Sequence, residues 1–127
     1  MTPREKFSSG TIWEEQVGYS RAVKVGNNIY ISGTTSVIGD KIEGIDDPFK
    51  QTKIILEKIK TALNHFGADM EHIVRLRIYS TNVTQFDEIA LACREYFKDL
   101  RPAQTFVGVN ALVVKEMLVE IEAEAVI

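Results

Sequence analysis

Between Pro48 and Gly67, six residues recur at steps of three and four: Phe49, Thr52, Leu56, Ile59, Leu63 and Phe66. That period puts them on one side of an α-helix. Asp46 or Asp47 stands where a side-chain oxygen can cap the first turn, and Pro48 suits the first helical position, where its missing N–H costs nothing. Gly67 supplies the C-terminal stop. A stripe this long needs a second layer to cover it, and the rest of the chain supplies strands.

Ser20–Val25 and Ile29–Ser32 read as a β-hairpin around Gly26-Asn27-Asn28, since Gly and Asn tolerate the φ > 0 of a tight turn. A weaker extended piece, Val37–Ile42, precedes the helix. Ile73–Tyr79 alternates, which sends Val74, Leu76 and Ile78 one way and Arg75, Arg77 and Tyr79 the other. Asn82 and Thr84 offer caps for a second helix running to about Phe97. Asp87 and Glu88 lie in its first turn, where the helix dipole favours acids, and Ile89, Cys93, Tyr96 and Phe97 form its buried side. Gln104–Asn110 carries Thr105, Val107 and Val109 on one side. Leu118–Val126 puts Val119, Ile121, Ala123 and Ala125 on one face and Glu120, Glu122 and Glu124 on the other.

The order β-β-(β)-α-β-α-β-β predicts one α+β domain over residues 1–127, a mixed sheet with two helices on one face. The uncovered face would carry Arg75, Arg77 and the three glutamates. Carboxylates in line on a strand repel unless solvated or paired, so the two arginines are their expected partners. Association of copies is expected to cover that face.

Charge and motifs narrow the function. The 127 residues carry a formal net charge of −3, without the basic excess that phosphate binding favours, so nucleic acid is not an expected partner. No apolar run approaches the ~20 residues of a membrane span. Residues 1–10 are polar and lack a signal-peptide core, so the expected location is cytoplasmic. A phosphate-binding loop, a dinucleotide fingerprint and a serine nucleophile elbow are all missing. His65 and His72 lack metal-ligand spacing, and neither metal nor cofactor is expected. Cys93, the one cysteine, falls on the apolar side of a helix and reads as a structural thiol.

Short polar clusters at strand ends remain: Gly18-Tyr19-Ser20, Ser32-Gly33-Thr34-Thr35, Arg101-Pro102-Ala103-Gln104-Thr105, and Glu120 within Val119–Ala123. None is specific alone, but their combination and order are. Gly18-Tyr19-Ser20-Arg21-Ala22-Val23 resembles the G-P-Y-S-x-A-V opening of the Rid family (reactive intermediate deaminases, RidA or YjgF, formerly labelled L-PSP endoribonuclease). Ile31-Ser32-Gly33 is similar to its V/I-S-G strand end, Arg101-Pro102-Ala103 lies where it has P-A-R, and Val119–Val126 resembles its V-E-I-E-A-I-A-V terminus.

The resemblance implies a chorismate-mutase-like α+β fold and a homotrimer that holds a small-molecule ligand in clefts between subunits. It implies cofactor-independent hydrolysis of reactive imines and enamines to 2-oxo acids and ammonia. Carried over by position, Tyr19 and Glu120 become candidate catalytic residues, and Ser32, Gly33, Thr34 and Gln104 candidate substrate-binding residues. Gln104 occupies the position of the family's carboxylate-clamping arginine, Ala90 replaces an asparagine of the second helix, and Gly18 replaces the opening proline. A neutral amide lacks the charged fork of arginine. Hydrogen bonds to charged groups contribute roughly 1.5–3 kcal/mol against about 1 for neutral ones, so the exchange weakens a carboxylate grip by about one to two orders of magnitude. Arg21 or Arg101 would have to compensate. Three readings stay open: a deaminase with altered substrate preference, a non-catalytic binding or regulatory trimer, and, least favoured, an endoribonuclease.

Overall fold

A computed structural model describes every residue from Met1 to Ile127. The elements are β1 (Arg4–Phe7), α1 (Ile12–Val17), β2 (Ala22–Val25), β3 (Asn28–Thr34), β4 (Val37–Ile38), β5 (Lys41–Ile42), α2 (Pro48–His65), β6 (Ile73–Ser80), α3 (Phe86–Phe97), β7 (Ala103–Gly108) and β8 (Val119–Val126). Six strands form one mixed sheet in the order β1-β2-β3-β8-β6-β7. Only the β6–β7 pairing is parallel. Helices α2 and α3 pack on each other and over one face, giving the expected two-layer α+β architecture.

The helix signals act as read. Asp47 accepts the Lys50 N–H at 2.9 Å, Pro48 opens α2, and Gly67 takes a left-handed φ of 79°. The buried face of α2 is wider than its stripe: Gln51, Ile55 and Ala62 are sealed beside Thr52, Leu56, Ile59 and Leu63, while Phe49 and Phe66 are only half-buried. The width follows from α2 meeting both the sheet and α3. Its partners in the core are Ile29, Ile31, Leu76, Ile78, Ile121, Ala123 and Ala125 from the strands and Ile89 from α3.

Several expectations need correction. The polar start of the chain forms β1, an edge strand pairing Arg4 with Val25, and then α1. Val37–Ile42 is not one strand but a tight hairpin, Val37 against Ile42. Val74 does not join Leu76 and Ile78: a register shift between Ile73 and Arg75 turns it outward, 46% exposed. The strand read as Gln104–Asn110 runs from Ala103 to Gly108; Thr105 and Val107 do share one side, the outer one, while Phe106 turns inward and meets Phe86 edge-on at 5.0 Å. The uncovered face carries the expected charges. Arg77 pairs with Glu124 at 3.3 Å, one step diagonal to its register partner Glu122, which takes the Tyr79 hydroxyl instead.

Candidate functional site

A cavity of about 130 Å³ opens where α1, the bulged end of β3, the start of β8 and α2 meet. Its polar lining is Tyr19, Arg21, Gly33, Thr35, Lys58 and Glu120, and its apolar walls include Trp13, Val37, Val113 and Met117. Tyr19 is placed by the end of α1, where the Gly18 and Tyr19 amides both donate to the Glu14 carbonyl at 2.9 and 3.0 Å. The start of α1 is tied by the Glu14 side chain. It accepts from the Ser9 amide and hydroxyl at 3.2 and 2.6 Å and from the Thr11 amide and hydroxyl at 3.1 and 2.8 Å. Burial works against the Glu14 anion, but these hydrogen bonds outweigh it and hold the carboxyl at about 2.

Glu120 projects from β8 onto Gly33. A Cβ on Gly33 would lie 2.6 Å from Glu120 Oε2 and 3.0 Å from its Cδ, so only glycine leaves room for this carboxyl. Burial pushes the Glu120 carboxyl above the usual carboxylate range; Arg21 pulls it down and Glu122 adds to the rise. Arg21 is 5% exposed, donates from Nη2 to the Gly33 carbonyl at 2.6 Å, and lies 5.6 Å from the Tyr19 ring centre. Lys58 reaches in from α2 and donates to the Thr35 and Val37 carbonyls, both at 2.8 Å. Burial, with Arg21 repulsion and against Glu14 attraction, lowers its ammonium to about 8.

Of the residues singled out from sequence, Tyr19, Gly33 and Glu120 therefore share one cavity. Ser32 does not line it: its hydroxyl donates to the Ser20 carbonyl at 2.7 Å, which ties the strand ends and leaves only acceptor capacity. Thr34 is 1% exposed with its hydroxyl donated to the Ser32 carbonyl, so Thr35, its neighbour, lines the cavity in its place. Gln104 is elsewhere. It lines a cavity of about 300 Å³ between α3 and β7, together with Ala90, Cys93, Arg94, Lys98 and Arg101. The two cavities share no lining residue. Arg21 and Arg101 are thus divided, one to each.

Sequence reasoning missed Lys58, and it named Thr35 only within the Ser32-Gly33-Thr34-Thr35 cluster, giving the binding role to Thr34. Lys58 directly precedes Ile59 of the stripe, and nothing in the helical period marks it as buried. The other chemistry-bearing groups are accounted for. His65 stacks on Phe7 with ring centres 4.6 Å apart, and His72 Nδ1 accepts the Asp69 amide at 2.9 Å. Burial pushes the Cys93 thiol up to about 12, the signature of a structural cysteine. No group of three or more His, Cys, Asp or Glu side chains is placed to hold a metal ion, and no helix is long and apolar enough to cross a membrane.

Comparison with known proteins matches the chain to one family. Residues 13–127 fit the family described as Endoribonuclease L-PSP. A 2-iminobutanoate/2-iminopropanoate deaminase of Dermatophagoides farinae is 30% identical over 128 residues, covering 100% of this chain and 99% of that protein. A RutC family protein of Pyrococcus abyssi is 34% identical over 110 residues, 84% of each chain. Among solved structures, a Mycobacterium tuberculosis member of the YjgF/YER057c/UK114 family superposes with a TM-score of 0.90 at 38% identity, covering 98% of this chain and 100% of that one. A Rid family protein of Yersinia pestis, YyfA, gives 0.86 at 29% identity with coverage of 98% and 100%. On its sequence, its mixed sheet and its helical layer alike, the chain belongs to the L-PSP endoribonuclease family, also called the YjgF or Rid family.

Proposed function

We propose that this chain is a cofactor-independent hydrolytic deaminase of small reactive imines or enamines, working as a homotrimer in clefts between subunits. The observation that carries the reading is Glu120, a half-buried carboxyl with raised proton affinity that shares a small cavity with Tyr19. The name of the Dermatophagoides farinae relative supports the reaction class.

The chemistry needs little machinery. Water adds to the C=N carbon, giving up one proton as the nitrogen gains one, and the tetrahedral adduct collapses to a carbonyl and ammonia. Glu120 takes the proton from water and returns it to nitrogen. A carboxyl whose proton affinity is raised toward the working pH does both better than an ordinary one. The Tyr19 hydroxyl orients the water or the imine nitrogen. Gly33 shapes the wall against which the polar head rests, and Ser32 supports it from the strand by tying to the Ser20 carbonyl.

Gln104 joins the site only across a subunit boundary, since in one protomer it lines the other cavity. The trimer would set the Gln104 cavity of one copy against the Tyr19–Glu120 cavity of the next. The uncovered sheet face, with Tyr30 and Val107 exposed among its charges, is a surface that association would cover. Gln104 in the arginine position favours a substrate preference different from that of arginine-bearing relatives. It also supports a second reading, a binding or regulatory trimer without turnover. Cleavage of RNA finds no support in the site, since neither histidine lines the cavity and the chain is acidic. A panel of imines and enamines generated in situ, with ammonia release as the readout, separates the first two readings. Turnover of any member supports the deaminase, and binding without turnover across the panel supports the alternative.

A further inference from the structure

We infer that Arg21 and Lys58 form an anion clamp at the Glu120 end of the cavity, so that the ligand is a small carboxylate held there rather than at Gln104. This rests on reading the Tyr19–Glu120 cavity as the ligand site. Three observations carry it. First, Arg21 is 5% exposed, yet its guanidinium makes a single hydrogen bond, from Nη2 to the Gly33 carbonyl, and its Nε is buried without a partner. No carboxylate comes within ion-pair distance of it: the four ion pairs of the chain all lie elsewhere. A desolvated cation with unused donors is a costly arrangement that a bound anion relieves. Glu120, though in the same cavity, leaves that gap open.

Second, Lys58 has three N–H donors, and the Thr35 and Val37 carbonyls take two of them. The third is free, on a side chain that lines the same cavity. Third, Arg21 and Lys58 are close enough to repel: burial is the main reason the Lys58 ammonium is lowered, and this repulsion adds to it. An anion between them turns that repulsion into two attractions. Glu14, the carboxylate that partly offsets Lys58 charge, is itself saturated by Ser9 and Thr11 and cannot serve both cations. Tyr19 and Glu120 are the other titratable groups of the lining. At about 130 Å³ the cavity is well below the ~300–1,000 Å³ of drug-sized ligand sites, which restricts the occupant to a short aliphatic acid. Arginine supplies the fork for such a group and lysine the point charge.

The test compares propionate with propionamide, its neutral isostere, by calorimetric titration of the full chain. The expected result is at least tenfold tighter binding of propionate by the wild type. Arg21→Gln and Lys58→Gln should each cut that preference about tenfold, and Lys58→Arg should restore most of it. Should Arg21→Gln fail to fold, Lys58→Gln and Arg21→Lys carry the same comparison. Equal binding of the two probes by the wild type, or an undiminished preference in the Lys58→Gln protein, overturns the clamp. Binding requires no turnover, so the two readings fail separately. A protein that holds propionate through these cations but hydrolyses no imine refutes the deaminase alone. One that hydrolyses uncharged imines without preferring propionate refutes the clamp alone.

Discussion

Adding one methyl group at Gly33 should disable the site while leaving the fold intact. A Cβ there would lie 2.6 Å from Glu120 Oε2, 3.0 Å from its Cδ and 3.3 Å from its Cγ. Carbon contacts settle at about 3.5–4.0 Å, so the carboxyl has to retreat by roughly 1 Å. The backbone adapts, because Gly33 is outside the left-handed region and the Glu120 carboxyl is the free end of a flexible chain. The stability cost is therefore about 1 kcal/mol, at the low end of overpacking. Misplacing a reacting group by 1 Å can lower the rate by about two orders of magnitude. Gly33→Ala is thus expected to melt within a few degrees of the wild type while kcat/KM for imine hydrolysis drops about 100-fold. A Gly33→Ala protein with full activity would refute the claim that the Glu120 carboxyl, as positioned against Gly33, is the working group.

Further tests follow from the supports of the cavity. The folded state holds the Glu14 carboxyl at about 2 against an ordinary 4.5, so Glu14 contributes stability that is complete above about 4.5 and lost as pH falls toward 2. Glu14→Gln should cost on the order of 2–3 kcal/mol at pH 7, with the gap to wild type closing below pH 4.5 in chemical denaturation; a gap constant with pH contradicts this. Gln51 is fully buried; its amide donates to the Gly44 and Glu116 carbonyls and accepts the Leu118 amide, all within 3.0 Å. Gln51→Leu orphans those groups and should cost about 2–4 kcal/mol, with loosened ligand binding because Val113 and Met117 wall the cavity. Cys93 should resist a thiol reagent in the native state and react only on unfolding, given its 7% exposure and its pKa of about 12. Sedimentation at micromolar concentration should give a trimer; a monomer removes the shared cleft.

The parts of the fold legible in sequence are those where one period runs uninterrupted. The alternation of β8 is of this kind and stands as read, and so does the middle of the α2 stripe, Thr52, Leu56, Ile59 and Leu63, though its two end phenylalanines are only half-buried. Val74 fails because a bulge is invisible to a period of two: one extra residue in β6 reverses its side. The first strand has no apolar alternation to announce it, being an edge strand with three of four residues exposed. The short helix α1 did carry a signal, Thr11-x-x-Glu14, a capping signature that the structure uses through Glu14 reaching back to Thr11. In the site, Tyr19, Gly33 and Glu120 were legible only as a combination, since each alone is an ordinary turn or surface residue. Lys58 and Gln51 were not legible at all. Both flank the apolar stripe of α2, and what holds them is non-local: the carbonyls of residues 35 and 37 for the half-buried Lys58, and those of 44 and 116 for the fully buried Gln51. Helical periodicity says nothing about loops that arrive from elsewhere in the chain.

The most direct test is the rate of ammonia release from 2-iminobutanoate generated in situ, wild type against Glu120→Gln. The amide keeps the size and removes the proton acceptor, and positioned acid–base groups contribute about 10²–10⁴-fold. A wild type that accelerates release, and a Glu120→Gln protein of native stability that has lost at least 100-fold of that rate, is the predicted outcome. Equal rates in the two proteins would contradict it.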